Sequence, residues 1–266
     1  MFQITILFLY VVAALAFALS RFPQQSERAR SLVLTAFLVC TIGLALHIRL
    51  LYEVLIAGGG SLSLATAVSL IGLQLALIAF LGAFESSLRG VSAGLLILAA
   101  LTSLADGHAS AAPIVELSWQ LRAHVTTSMF AYGLLTVGAI LAIYALIQDR
   151  RLRSGKLSAV NHLFAPLETT ERMLYAVTAA GFTVLALSVV SGILFVENLF
   201  AQHLVHKTGL SLLALLLFGI LLLGRRFAGW RGKRGVYLYL ASFAILSLGY
   251  FGSRYILEEV LGRSWG

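Results

Sequence analysis

Long apolar runs, separated by short polar segments, cover almost the whole chain. About 20 apolar residues suffice to cross the hydrocarbon core of a bilayer as a helix. Lipid makes each such segment helical because backbone N–H and C=O groups find no water there. The pattern therefore predicts an all-α integral membrane protein with about eight transmembrane helices. The runs cover residues 2–20, 31–51, 63–83, 91–106, 121–147, 172–196, 208–224 and 236–257.

Composition supports this class of protein, because 60% of the 266 residues are hydrophobic and only 11% are charged. Soluble domains have about 25% charged residues. The runs leave no room for a separate soluble domain, so residues 1–266 are predicted to form a single polytopic transmembrane domain. The net charge of +8 does not indicate nucleic-acid binding, because the basic residues lie in short loops between apolar runs.

The basic residues also predict the orientation in the membrane. The loops after the first, third, fifth and seventh runs, together with Arg172 at the start of the sixth run, contain 14 of the 19 lysines and arginines. With eight spans these loops share one side, which the positive-inside rule makes cytoplasmic. Both termini then lie on the outer, periplasmic side of a bacterial inner membrane. No positive charge precedes the first run, which favours a retained helix over a cleaved signal peptide.

Several activities lack their sequence signatures. Cys40 is the only cysteine, so there is no Cys-x-x-Cys motif for thiol redox chemistry and no Cys-x-x-Cys-His motif for covalent haem attachment. No Walker A loop is present. No acid–base pair or nucleophile constellation is visible either, so the sequence gives no basis for predicting an enzymatic activity.

Histidine and a cation stand close together at three places that the predicted topology puts near the outer face. Neutral imidazole is a good axial ligand for haem iron, and facing helices can hold a haem between two histidines. Haem propionates need cations near the membrane surface, and arginine binds a carboxylate through its two-pronged guanidinium group. The three pairs are His47 with Arg49, His124 with Arg122, and His206 with Lys207.

These pairs predict a site for haem b. His124 and His206 are the expected axial pair on the iron, and His47 is an alternative or second-site ligand. Arg122 and Arg49 are the expected partners of the propionates. A cleft between helix ends is a usual place for a cofactor.

A structural interpretation stands beside the haem site. Histidine and arginine are common at helix ends, where long cationic side chains reach the interface. Arg49 and Glu53 are four residues apart and can form an ion pair on one helix face. Zinc is a weaker candidate, because no cysteine or carboxylate joins the histidines at ligand spacing. The aromatic residues that could wall a flat ring, or simply pack, are Tyr52, Tyr132, Tyr250, Phe251 and Tyr255.

Four short segments, in order along the chain, resemble a known family. They are His47 with the later Gly58-Gly59-Gly60, residues 123–135, residues 171–192, and Gly229-Trp230-Arg231-Gly232 with the later Tyr250-Phe251-Gly252. Together they resemble the cytochrome c assembly (CcsA/CcmC) family, and the first segment is most similar to its HemX/YpjD-like branch. The resemblance implies a membrane topology and a role in haem handling, with haem, lipid and membrane or periplasmic assembly proteins as partners.

The resemblance has two departures. Cytochrome c synthases of the family carry a tryptophan-rich external segment, whereas residues 196–207 contain no tryptophan and His206 stands where an aspartate would end that segment. Gly224 stands where the family has a further histidine. The resemblance therefore implies haem delivery or maturation rather than haem attachment. The branch is associated with haem binding and with an influence on haem synthesis.

Two other functions fit a polytopic membrane protein of this kind. One is a non-enzymatic regulator or assembly subunit that binds another protein through the loop 148–171. The other is a permease subunit for a small molecule. Permeases often have helices broken by proline or glycine at mid-membrane, and none of the three prolines lies within the eight runs.

Overall fold

The computed structural model describes residues 2–54, 64–104, 119–154, 165–195 and 202–249, and these form α-helices and short 3-10 helices without any strand. The all-α prediction is therefore confirmed for this part of the chain. The α-helices are α1 (Phe2–Leu19), α2 (Ala29–Tyr52), α3 (Leu64–Gly82), α4 (Arg89–Thr102), α5 (Trp119–Arg153), α6 (Leu167–Phe195), α7 (Gln202–Phe227) and α8 (Lys233–Ser247).

Each of the eight predicted apolar runs coincides with one of these helices. Five segments in the described residues are long and apolar enough to cross a membrane, while α3 and α4 contain shorter apolar stretches. The chain is thus a multi-pass membrane protein, and the count of eight spans and the outer location of both termini stay predictions. The five segments are Phe2–Leu19, Pro23–Tyr52, Trp119–Arg153, Leu167–Phe195 and Thr208–Phe227.

The segment between residues 148 and 171, predicted as a loop between two membrane spans, is helical at both of its ends. Helix α5 continues through polar residues to Arg153, where basic side chains in the last turn suit the negative end of the helix dipole. Helix α6 begins at Leu167 with Glu168 in its first turn, where an acidic side chain suits the positive end of the helix dipole. Hydrophobicity alone misses such polar helix ends.

The last run differs in another way. Helix α8 begins at Lys233, three residues before the predicted start, and ends at Ser247. The rest of the run, including Tyr250, Phe251 and Tyr255, lies outside the described residues.

The chain divides into two compact units. The first unit consists of Met1–Glu116 and Ile147–Arg172, and the second consists of Leu117–Leu146 and Met173–Gly266. Helices α1 to α4 therefore belong to the first unit. The second unit contains the first 28 residues of α5, to Leu146, with most of α6 and all of α7 and α8.

In the first unit, α1 packs on α2 and α4, and α3 packs on α4. Phe37 of α2 lies at the centre of an aromatic cluster. Its ring centroid is 5.1 Å from that of Phe17, 5.3 Å from that of Phe80 and 4.7 Å from that of Phe84. Two of these contacts are edge-to-face, a geometry that the ring quadrupole favours.

In the second unit, α8 approaches α5 at a glycine. The ring of Tyr239 is fully buried, and its hydroxyl donates to the backbone oxygen of Leu135 at 2.7 Å. A Cβ atom at Gly138 would overlap the Tyr239 hydroxyl and ring carbons. Small residues let membrane helices come this close, since packing and interhelical hydrogen bonds hold them together where lipid provides no hydrophobic drive.

Gly138→Ala is therefore expected to destabilise the protein by about 1–3 kcal/mol, the usual cost of forcing a methyl group into a filled space. Gly209→Ala is the matched control, because nothing lies within 4 Å of a Cβ atom at that helical position. Thermal unfolding in detergent measures both variants. Equal stability of the two would show that Gly138 is not a close-packing position.

Candidate functional site

The imidazole of His124 is held by α6. His124 lies in the second turn of α5 and is half-buried. Its Nδ1 is 3.1 Å from the backbone oxygen of Ser188 and 3.0 Å from the hydroxyl oxygen of Ser191. The Ser191 hydroxyl itself donates to the Ser188 oxygen at 2.8 Å. One ring nitrogen therefore faces two oxygen atoms at the same place on α6.

This network assigns the tautomer of His124. A carbonyl oxygen only accepts, so Nδ1 must carry the hydrogen that points to Ser188. The Ser191 hydrogen is already used on the same carbonyl, which leaves the Ser191 oxygen as a second acceptor for Nδ1–H. In the neutral ring Nε2 then carries the lone pair. Among the residues that the structure describes, the hydrogen bonds of this ring involve Nδ1 alone.

Two further contacts fix the position of the ring. A Cβ atom at Gly192 would lie 2.9 Å from Cε1 of His124, so the ring rests directly against the glycine backbone. The Ser128 hydroxyl donates to the His124 backbone oxygen at 2.7 Å and lies 2.6 Å from the Ser188 hydroxyl. Helices α5 and α6 are thus tied together on both sides of the imidazole.

The other predicted members of this site are described less fully. Arg122 lies in α5 and His206 in α7, but their side chains lie outside the described part of the structure. Both residues belong to the second unit, as His124 does. Their roles as propionate partner and second axial ligand stay predictions. His162, which the topology puts on the cytoplasmic side, also lies outside the described residues.

His47 has a different environment. It lies in α2 of the first unit, fully buried, with Nδ1 3.1 Å from the Tyr10 hydroxyl and Nε2 3.0 Å from the Ser69 hydroxyl. Both ring nitrogens are therefore engaged, and the residue connects α1, α2 and α3. An iron atom would have to displace one of the two hydroxyl groups, so the role of His47 as a ligand stays a prediction that requires such an exchange.

Arg49 is exposed and paired. Its Nε lies 3.0 Å from Glu53 Oε1, and its guanidinium carbon lies 5.4 Å from the centre of the Phe2 ring. The ion pair that the four-residue spacing indicates is thus confirmed. Both side chains are about half exposed or more, and exposed ion pairs contribute little free energy. A propionate would compete with Glu53 for this arginine at low cost.

Two of the five aromatic candidates, Tyr132 and Tyr52, lie in the described residues, and their surroundings differ. Tyr132 donates its hydroxyl hydrogen to Ser247 at 2.7 Å, and its ring centroid is 5.8 Å from that of Phe243. Tyr52 is 56% exposed. The structure thus gives Tyr132 a packing partner. Over the described ranges, no group of three or more histidine, cysteine or acidic side chains is placed to hold a metal ion.

Sequence reasoning overlooked the partners of both histidines. Ser188, Ser191 and Gly192 share one helix face, because residues three and four apart on a helix are neighbours. This Ser-x-x-Ser-Gly spacing in an apolar run was the available signal. Tyr10 and Ser69 gave no comparable signal, since single polar residues in apolar runs do not reveal which helix they face.

A model of the family described as "Cytochrome C assembly protein" matches residues 3–261, and the chain belongs to this family. Three similar proteins differ in how closely they match. The inner membrane protein YpjD of Escherichia coli K12 is 34% identical over 137 residues, which is 52% of each chain. A protein of Azospirillum brasilense called "Uncharacterized 28.8 kDa protein in nifR3-like 5'region" is 30% identical over 141 residues, again 52% of each chain.

The third is the cytochrome c biogenesis protein CcsA of Guillardia theta, 25% identical over 183 residues, which is 61% of this chain and 60% of CcsA. The chain spans about half the length of the first two relatives. No solved structure matches the chain. The family, the inner-membrane relative and the apolar helices identify a multi-pass protein of the bacterial inner membrane, and the family suggests a role in cytochrome c biogenesis.

The hydrogen bonds of His47 to Tyr10 and Ser69 allow a test of the structural role of His47. Tyr10→Phe leaves Nδ1 of a fully buried ring without its hydroxyl partner. Hydrogen bonds between membrane helices contribute about 0.6 kcal/mol on average and up to about 1.7 kcal/mol. We expect a loss of about 1 kcal/mol in the free energy of unfolding, measured in detergent. Tyr52→Phe, at an exposed position of α2, should leave stability unchanged, and an equal loss there would contradict the assignment.

Proposed function

We propose that this protein binds haem b at the outer face of the inner membrane and serves haem delivery or maturation in cytochrome c assembly. The observation that carries the proposal is the hydrogen bond from His124 Nδ1 to the Ser188 carbonyl. Histidines that bind metals usually donate their other ring hydrogen to a carbonyl or carboxylate, which fixes the tautomer and makes the coordinating nitrogen more basic. Family membership supports haem as the cofactor.

The side chains present fit such a group. Neutral imidazole is the haem ligand of many proteins, and the neutral form of His124 has its lone pair on Nε2. The ring cannot rotate freely, because Ser191 and Gly192 hold it on the α6 side. A haem ligand needs this combination of a defined tautomer and a fixed ring plane.

The remaining residues complete the proposed site. In the second unit, His206 would bind the iron together with His124, and Arg122 would bind a propionate; in the first unit, Arg49 would bind a propionate beside His47. His47 is a second-site ligand that becomes available when the Ser69 or Tyr10 hydroxyl is displaced. The bound haem supplies an iron centre that can change its oxidation state. The chain itself would bind and orient this group and would keep the Nδ1 proton of His124 in its hydrogen bond to the Ser188 carbonyl.

His124→Ala and His206→Ala are each expected to lower the haem content of the purified protein several-fold, because each removes one axial ligand. The measurement is an absorption spectrum of the detergent-purified protein, oxidised and reduced, with a haem assay. The natural protein should show reduced bands of the low-spin bis-histidine type. His162→Ala is the control and should keep its haem.

Equal haem content in all three variants would end the axial-ligand assignment. A His124→Ala protein that retains part of its haem should lose it when His47→Ala is added, if His47 holds a second site. A colourless natural protein that takes up no added haem would contradict haem binding as such. A regulator that binds proteins through residues 148–171 would then be the better hypothesis.

Ser191→Ala tests how the imidazole is positioned. It removes one of the two oxygen atoms around Nδ1, while the Ser188 carbonyl remains. Loss of such an outer partner usually weakens metal binding by about 10–100-fold, and we expect the lower end of that range. Thr183→Ala is the control on the same helix, because its hydroxyl is exposed and bonds only to the Ala179 carbonyl among the described residues. Haem titration of both apoproteins measures the difference, and equal affinities would contradict this role of Ser191.

A further inference from the structure

The last turn of α7, the short connection after it and the first residues of α8 are strongly basic and are held together by side-chain and backbone contacts. We call residues 225–234 the basic loop. Five of its ten residues are cations, and they are Arg225, Arg226, Arg231, Lys233 and Arg234. We propose that the basic loop is a binding site for the headgroups of anionic phospholipids.

Trp230 is the residue around which the basic loop is built. Its ring covers Gly224, where a Cβ atom would overlap the indole, and its backbone N–H donates to the Gly224 oxygen at 3.1 Å. Its own backbone oxygen accepts from the Tyr175 hydroxyl at 3.3 Å and from Arg225 Nη1 at 3.2 Å. The backbone N–H and the backbone oxygen of Trp230 are thus both hydrogen-bonded to residues of α6 and α7.

Two glycines and a stacked arginine complete the loop. Gly229 and Gly232 have φ angles of 64° and 63°, a region that side chains with a Cβ atom rarely adopt. The Arg225 guanidinium carbon lies 4.6 Å from the centre of the Tyr175 ring, a cation–π contact. A general excess of positive charge on one side of the membrane requires no such folded structure. The orientation rule therefore explains the charge of this loop but not its architecture.

The other four cations of the basic loop lie on the surface of the protein. Arg226, Arg231, Lys233 and Arg234 are all exposed. Arg226, Arg231 and Arg234 form no ion pair with any other residue that the structure describes. These three guanidinium groups are therefore available to an external anion.

Neighbouring apolar side chains favour lipid over a soluble anion. Phe227 is 80% exposed and lies beside Arg226, whose guanidinium carbon is 5.9 Å from the Phe227 ring centre. Leu223, one turn earlier on α7, is 58% exposed. Apolar side chains next to cations match the boundary between acyl chains and phosphodiester headgroups. Clusters of four or more cations directly after a transmembrane helix have the same preference.

The experiment uses the full-length protein in dodecyl maltoside, with dioleoylphosphatidylglycerol or dioleoylphosphatidylcholine added as mixed micelles. Thermal stability and native mass spectrometry measure binding. Each cation near an anionic surface contributes about fivefold in affinity. We therefore expect R226Q/R231Q/R234Q to bind phosphatidylglycerol about a hundredfold more weakly than the natural protein. R226K/R231K/R234K keeps the charge and should bind nearly as well.

Two single substitutions distinguish a folded lipid-binding site from a general effect of positive charge. Arg153→Gln also removes a cation, but one that is paired with Asp149 at 3.1 Å, and it should leave lipid binding unchanged. Gly224→Ala keeps every charge and displaces Trp230, so it should weaken binding. Unchanged binding by Gly224→Ala would show that net charge alone is responsible and would overturn the site.

Three other results would also overturn the proposal. They are equal binding of the two lipids by the natural protein, unchanged binding by the glutamine variant, and the same stabilisation by inorganic phosphate as by phosphatidylglycerol. The last result would assign the loop to a soluble anion. Retained helical circular dichroism and a single peak in size-exclusion chromatography establish that each variant is folded.

Discussion

A polar group inside hydrocarbon has to find its partner within the protein, because lipid donates and accepts no hydrogen bonds. Many serine and threonine hydroxyl groups on these helices bond to a backbone oxygen of their own helix. Thr178 donates to the Leu174 oxygen and Ser242 to the Leu238 oxygen, each one turn back on its own helix. A histidine ring is too large and has too many polar atoms for this solution. Its placement therefore requires groups from other helices, and these groups determine what the ring can do.

The two histidines that the structure describes most fully show the consequence. His47 receives a hydroxyl at each nitrogen and becomes a buried connection between three helices of the first unit. Among the described residues, His124 receives oxygen atoms at Nδ1 alone, and a glycine backbone supports the ring. The same residue type thus has both ring nitrogens hydrogen-bonded in one place, and in the other its described hydrogen bonds involve Nδ1 alone. This difference underlies the choice of His124 as the first residue of the proposed haem site.

Glycines opposite aromatic side chains are a second recurring constraint in this membrane protein. Gly138 receives Tyr239, Gly224 receives Trp230, and Gly235 receives the Tyr175 hydroxyl. Each pair places a large side chain where any other residue would collide with it. In the membrane these contacts bring helices close enough for hydrogen bonds, and at the end of α7 the same device holds a basic loop in one conformation. Close packing and hydrogen bonding between helices therefore stabilise the same contacts, as in other membrane proteins.

The sequence by itself determined the class of protein, the helical segments and the family. Hydrophobic run length decides these properties, because bilayer thickness and backbone hydrogen bonding leave few alternatives. It also indicated which histidines stand beside cations, and the Arg49–Glu53 pair followed from spacing on one helix.

Only the tertiary structure decided which histidine nitrogens are engaged. Tyr10, Ser69 and Ser188 are 37, 22 and 64 residues from the histidines that they contact. No local pattern encodes contacts over such separations, since each depends on how helices rotate and cross. The polar extension of α5 to Arg153 was hidden for a simpler reason. Helix ends outside the hydrocarbon are stabilised by charge and hydrogen bonds, which a hydrophobic pattern does not register.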